Sequence, residues 1–260
     1  METTWQIINN LEDFRGMEEE WNALFEESGV ESIFLTFDWI ISWLEEFGSE
    51  GEILILKGEG EDWKGFFPLF RRVRPLPLGK LRTVSFVGEP LSDRCDFIIA
   101  GDRWEAIAAF LTYCRENHDG CDILRLQQIA ANSPNARVLR KILDRRGVKF
   151  NIRVCDRAPF IPLPGSWDQY LQSLSRSFKK KIRKYFRIAR ESGELRIEEL
   201  PLSPETWKMI QDISRRSTKN QRGVALFDQR GMNSFMRTLL PRFQTAGRLK
   251  LTALYIGSRP

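Results

Sequence analysis

Apolar residues between Trp167 and Ala189 recur at steps of 4, 3, 4, 4, 3 and 4: Trp167, Leu171, Leu174, Phe178, Ile182, Tyr185 and Ala189. That spacing draws one stripe along a helix of 3.6 residues per turn. Ser166 stands where an N-cap belongs, Gln169 where it completes a capping box, and Asp168 in a first turn that favours negative charge. Gly193 supplies a stop. The pattern therefore predicts one long amphipathic helix over Ser166–Gly193.

The same rhythm appears twice near the start. Leu11–Ser28 places Phe14, Met17, Trp21, Leu24 and Phe25 on one face and glutamates on the other. Thr36 caps a second helix whose stripe holds Trp39, Ile40, Trp43, Leu44 and Phe47, closed by Gly48. Strands are expected at Trp5–Ile8, Ile53–Lys57, Lys64–Arg72, Leu81–Val87 and Cys95–Ala100. Pro68 lies inside the third of these, and a residue with no N–H to give a ladder predicts an edge or a bulge there. PLPLG (75–79) reads as a break and GEPLSDR (88–94) as a loop. Helix over Trp104–Asn117, strand over Ile123–Gln127, helix over Pro134–Arg146 and strand over Val148–Val154 follow. The three prolines of DRAPFIPLP (156–164) make an extended connector. Beyond the long helix come a strand (Leu195–Leu200), a helix opened by Ser203 and Pro204, a polar loop, a helix over Asp228–Phe243 and a strand over Arg248–Ile256. The fold class is mixed α/β (α+β), in two domains, 1–155 and 156–260. A final strand with a turn beyond it and no return arm makes the second domain look incomplete.

Charge divides the chain more sharply than its net +5 suggests. Residues 1–50 carry one Arg against 13 acids, whereas 151–260 carry 22 bases against 9 acids. The basic excess peaks on the long helix, with eight Lys or Arg between Arg176 and Arg190 and no acid. A solvated face is the simpler reading of such a run. Eight uncompensated cations also suit a phosphate-bearing ligand: a nucleotide cofactor, RNA or another polyanion. Lys179, Lys180, Arg183 and Lys184 are the candidate anion-binding residues.

Other chemistry is sparse. The single histidine, His118, sits in a turn-like ENHDG, which argues against a Ser-His-Asp or Cys-His machine and a His-rich metal site. There is no P-loop, G-x-G-x-x-G or G-x-S-x-G. Asp93 and Asp96 form a close acidic pair that would orient a substrate or cation, or simply face water. Lys219, with Asn220, Gln221 and Arg222, forms a polar loop able to hold an anion or a carbonyl. Cys95, Cys114, Cys121 and Cys155 are scattered with no C-x-x-C, as in reduced cytosolic thiols. No apolar run approaches the ~18 residues of a membrane span.

Seven segments together resemble a known family: IFLTFDWIISWLEEFG (33–48), FFPLFRR (66–72), VGEPLSDRCDF (87–97), APFIPLP (158–164), SWDQYLQSLSRSFKKKIRKYFRIAR (166–190), STKNQRG (217–223) and GRLKLTALYIGSRP (247–260). In this order they are similar to the CelD-like acyltransferases of the GNAT superfamily, relatives of the Fem-type peptidyltransferases. The resemblance implies two GNAT-like domains and transfer of an acyl group from acyl-CoA, without a metal, to a small-molecule amine or sugar-linked acceptor. It also implies a setting in polysaccharide or cell-envelope synthesis. Through the Fem-type relatives it brings in tRNA as a partner. In this superfamily backbone N–H groups of a strand–helix loop grip the donor's pyrophosphate. That loop is expected beyond the strand at Leu249–Ile256, and AGDR (100–103) in the first domain lacks its glycines. An RNA-binding module and an inactive, truncated chain are the alternatives.

Overall fold

The computed structural model describes residues 3–117, 120–218 and 226–260. The chain divides into two units, Met1–Asp156 and Arg157–Pro260.

In the first unit everything is hung on one long strand. The strands are β1 (Thr4–Ile8), β2 (Glu52–Glu59), β3 (Trp63–Leu76), β4 (Gly79–Phe86), β5 (Ile98–Gly101) and β6 (Ile123–Arg125). They order as β1-β2-β3-β4-β6, with β5 also paired to β3. All pairs are antiparallel except β4–β6. The helices are α1 (Leu11–Arg15), α2 (Glu18–Ser28), α3 (Phe37–Phe47), α4 (Arg103–Glu116) and α5 (Pro134–Arg145). Side chains of β3 alternate between two covered faces. Phe66 meets Trp21 of α2 at 4.7 Å between ring centroids, and Phe70 meets Trp43 of α3 edge-on at 5.1 Å. On the other face Phe67 stacks on Phe110 of α4 at 4.6 Å and touches Phe97. Burial on both faces is why FFPLF is continuously apolar rather than alternating.

Pro68 is neither at an edge nor in a bulge. It sits inside β3, opposite Ile55 of β2. On the other side, β5 pairs with β3 only up to Phe66 and β4 only from Leu69 onward. The proline occupies the fork between them, where no ladder partner needs its missing N–H, and its carbonyl accepts from Val87 N–H at 2.9 Å. PLPLG is no break either: Leu76 pairs with Gly79, leaving Pro77 and Leu78 as a tight hairpin turn.

Three other expectations fail. The helix over Leu11–Ser28 is two, interrupted at Gly16. Val148–Val154 alternates like a strand yet forms none; among the described residues no edge pairs with it, and Ile152 and Val154 are exposed. Strand propensity without a partner fixes nothing. The long helix also breaks, as described below.

The second unit contains α6 (Trp167–Ser173), α7 (Arg176–Ser192), β7 (Leu195–Leu200), α8 (Pro204–Arg216), α9 (Met232–Thr245) and β8 (Leu251–Ile256). Helix α9 begins four residues later than expected, after Gly231. β7 and β8 form an antiparallel pair. Ala253 on one sheet face is buried, as are Trp207 of α8 and Met232, Phe235, Leu239 and Phe243 of α9. The register puts Ile197, Leu254 and Ile256 together on the other face, where they are exposed. Gly193, at φ +151°, ends α7 against the turn after β8; a Cβ there would lie 2.9 Å from the Gly257 nitrogen.

Candidate functional site

Two places gather polar chemistry, one in each unit. In the second unit it is the surface of α6 and α7. Ser166 Oγ accepts from Gln169 N–H at 3.2 Å, so the first cap forms as the sequence predicts. The predicted continuous helix does not. Leu174 turns extended, at φ −80° and ψ 152°, and Ser175 starts a new helix by accepting from Phe178 N–H at 3.3 Å. A serine just ahead of the basic run competes for the backbone and wins. The break turns one stripe into a corner. An open groove of about 570 Å³ lies along it, floored by Trp167, Leu171, Ile182 and Phe186 and rimmed by Lys179, Arg183, Arg187 and Arg190.

The four candidate cations of α7 do not act alike. Lys179 and Arg183 line the groove, whereas Lys180 and Lys184 do not. Lys179 also donates to the Gln172 carbonyl at the end of α6, at 3.1 Å. Arg187 is 3.7 Å from Glu191, one turn on. Lys180, Arg183 and Lys184 have no ion-pair partner among the described residues. Lys219 and the rest of its loop, like His118, lie outside the described residues.

In the first unit the acidic pair is not a pair in space. Both oxygens of Asp96 are spoken for: Ser133 Oγ donates at 2.6 Å, Asn135 Nδ2 at 3.0 Å and the Phe97 N–H at 2.8 Å. Burial pushes the Asp96 carboxyl upward and these donors oppose it. Asp96 therefore ties the segment before β5 to the start of α5, and Asp93 stands exposed in solvent.

One carboxylate that sequence spacing does not single out is Glu89. The loop leaving β4 turns at Gly88, whose φ is +95° and whose absent Cβ leaves room for Ser92 Oγ. Trp39 Nε1–H donates to that hydroxyl at 3.0 Å. The fold back buries Glu89 down to 6% side-chain exposure, with Arg125 Nη2 at 2.9 Å from Oε2. Arg72, whose guanidinium lies over Phe70 and Trp43, donates to the Glu89 carbonyl at 3.3 Å. Burial raises the Glu89 carboxyl and lowers Arg72, each partly offset by opposite charges. Nothing in the spacing of GEPLSDR distinguishes this glutamate from an ordinary loop acid.

The thiols are poor nucleophiles where they are buried. Loss of solvent pushes Cys95 and Cys114 each up to about 12, so neither supplies a thiolate near neutral pH. The N-terminus of α4, just after AGDR, is also closed to a phosphate. Asp102 Oδ1 accepts from the Trp104 and Glu105 N–H groups at 2.7 and 3.1 Å, filling the anion position with its own charge. The α6–α7 groove is different: an apolar floor under a rim of four cations and Glu191 fits an anion with an apolar portion.

Residues 176–260, from the start of α7 through β8, match the family model of the acetyltransferase (GNAT) domain. The C-terminal part of this mixed α/β chain is thus similar to the GNAT domain of acetyltransferases. No curated protein and no solved structure matches the chain. Among the described residues no helix is long and apolar enough to cross a membrane.

Proposed function

We propose that the chain is an N-acyltransferase of GNAT type that moves an acyl group from acyl-CoA to an amine, small or sugar-linked, in polysaccharide or cell-envelope synthesis. The observation that carries this reading is the GNAT domain over residues 176–260. The proposal extends to a CelD-like organisation related to the Fem-type enzymes, with the first unit as a second GNAT-like body. Lys179, Arg183, Arg187 and Arg190 hold the anionic part of a substrate at the groove, and its apolar part lies on Trp167 and Phe186. In such a transfer the amine nitrogen attacks the thioester carbonyl. A C–N bond forms as the C–S bond breaks, and the proton shed by nitrogen passes through a carboxylate or water to the departing thiolate. Backbone N–H groups steady the oxyanion in between.

Calorimetric titration with acetyl-CoA and longer acyl-CoAs, alongside radiolabelled transfer to a panel of amines, tests it. Saturable binding is expected, weakened about tenfold or more in Arg183→Gln with Arg187→Gln, since each contact to phosphate is charge-assisted. Absence of both binding and transfer across the panel removes the reading. A second reading, an RNA-binding module, is favoured by the eight cations of α7 and predicts affinity for RNA that falls steeply with salt.

A further inference from the structure

Helix α7 combines three properties that are rarely found together on a helix serving only the core. None of its residues is buried. Its apolar arc, Phe178, Ile182, Tyr185, Phe186 and Ala189, occupies one side by the 3.6-residue period, with Tyr185 64% exposed. Its cations fill the opposite side and reach both flanks of the arc, at Lys181 on one border and Arg190 on the other. The apolar surface does not stop at the helix. In the connector before α6, Phe160 is 83% and Leu163 88% exposed. Both line a second open groove, shared with Tyr170, Leu174 and Phe178. A large apolar face beside dense uncompensated positive charge, with low overall hydrophobicity, is the character of a helix that lies in a lipid interface.

We propose that the connector, α6 and α7 form a docking surface for an anionic phospholipid bilayer. The aromatic and aliphatic side chains enter the headgroup–acyl boundary, and Lys181, Arg183 and Arg190 meet lipid phosphates from the rim. The charge of the bilayer complements a helix that carries eight cations and only one acid, Glu191 near its end. The apolar half of the surface decides for lipid against RNA. Bases stack on rings, but they gain nothing from exposed Ile161 and Leu163, which a bilayer rewards in proportion to buried area. The inference rests on the surface of α6 and α7 and holds whether or not the chain transfers acyl groups.

The test is flotation of the purified chain with vesicles of phosphatidylcholine alone and of phosphatidylcholine doped with phosphatidylglycerol, with a fluorescent polyuridine RNA measured in parallel. The chain is expected to float with the anionic vesicles and not with the neutral ones. Lys181→Gln with Arg190→Gln should weaken flotation about 25-fold, roughly fivefold for each interfacial cation. Phe178→Ser with Phe186→Ser should weaken it about tenfold or more. All four residues are exposed, so unchanged far-ultraviolet circular dichroism is expected in both variants. The two pairs also act independently, so a folding defect in one leaves the other decisive. The proposal is overturned if the anionic vesicles do not recruit the chain or if neutral vesicles recruit it equally. It is also overturned if the serine variant floats like the parent while RNA is bound in its place, which would make α7 a polyanion site that ignores the apolar arc.

Discussion

The two units use similar amphipathic patterns to opposite ends. In Met1–Asp156 the strand β3 is covered on both sides, and the aromatic residues of α2, α3 and α4 reach it at ring-centroid distances of 4.6–5.1 Å. In Arg157–Pro260 the best-formed amphipathic helix buries nothing, and one face of the β7–β8 pair shows Ile197 and Leu254 to solvent. Periodicity says which side of an element is apolar. What covers that side is settled by partners elsewhere, and the contrast between the units measures that difference.

The comparison is broken most directly by truncating one ring on each side of it. Phe67→Ala, at the junction of Phe97 and Phe110, should cost about 3–5 kcal/mol in urea unfolding of the first unit. Asp96→Ala comes next: it takes the acceptor from the Ser133 hydroxyl and the Phe97 N–H and one of two from Asn135 Nδ2, and a loss of about 1–3 kcal/mol is expected in the same melt. Ser175→Ala removes the cap that starts α7 and should cost about 1 kcal/mol, seen as lost helicity. Phe186→Ala, the counterpart of Phe67 in the exposed arc, should change stability by no more than about 0.5 kcal/mol. If it matches Phe67→Ala instead, α7 is covered in solution and the contrast collapses.

Glu89 offers a subtler handle. Its folded pKa lies above 4.5 because burial disfavours the charge, so the folded state holds the proton more tightly than the unfolded chain. Its contribution is therefore fully present below the unfolded value and lost as pH rises through the folded one. Urea midpoints measured across acidic pH should decline less in Glu89→Gln than in the parent, the remaining decline belonging to Asp96, whose carboxyl burial also raises. Identical pH profiles would mean that Arg125 cancels the burial completely.

Local signals carried much of the fold. Thr36, Ser166 and Ser203 each cap the helix that their sequence context announces, because a cap is decided within three residues. What escaped was non-local. Pro68 reads as an edge until β4 and β5 are seen to part around it. Val148–Val154 reads as a strand until no partner is found, and Ser175 reads as one polar position in a helix rather than the start of another. For the sites, the basic run was legible because charge density is a property of the sequence alone. Its division into Lys179 and Arg183, which line the groove, and Lys180 and Lys184, which do not, depends on the corner at Leu174. Glu89 was invisible because its burial is imposed by the fold of a loop, with Arg72 and Arg125 arriving from β3 and β6.

The fork at Pro68 has a consequence for how that loop is held. Residues 87–97 leave the sheet opposite Leu69 and re-enter it opposite Phe66, three positions apart on one strand, or roughly 10 Å at the rise of an extended chain. Both ends are clamped by the sheet itself, so the loop does not have to hold its own mouth shut. Closing a longer loop across the same gap costs little, about 0.6 kcal/mol for a doubling of its length. The strand that organises the first unit thus also acts as a fixed bracket, from which the segment bearing Glu89 and Ser92 can be lengthened or rewritten while the pairing of β3 stays as it is.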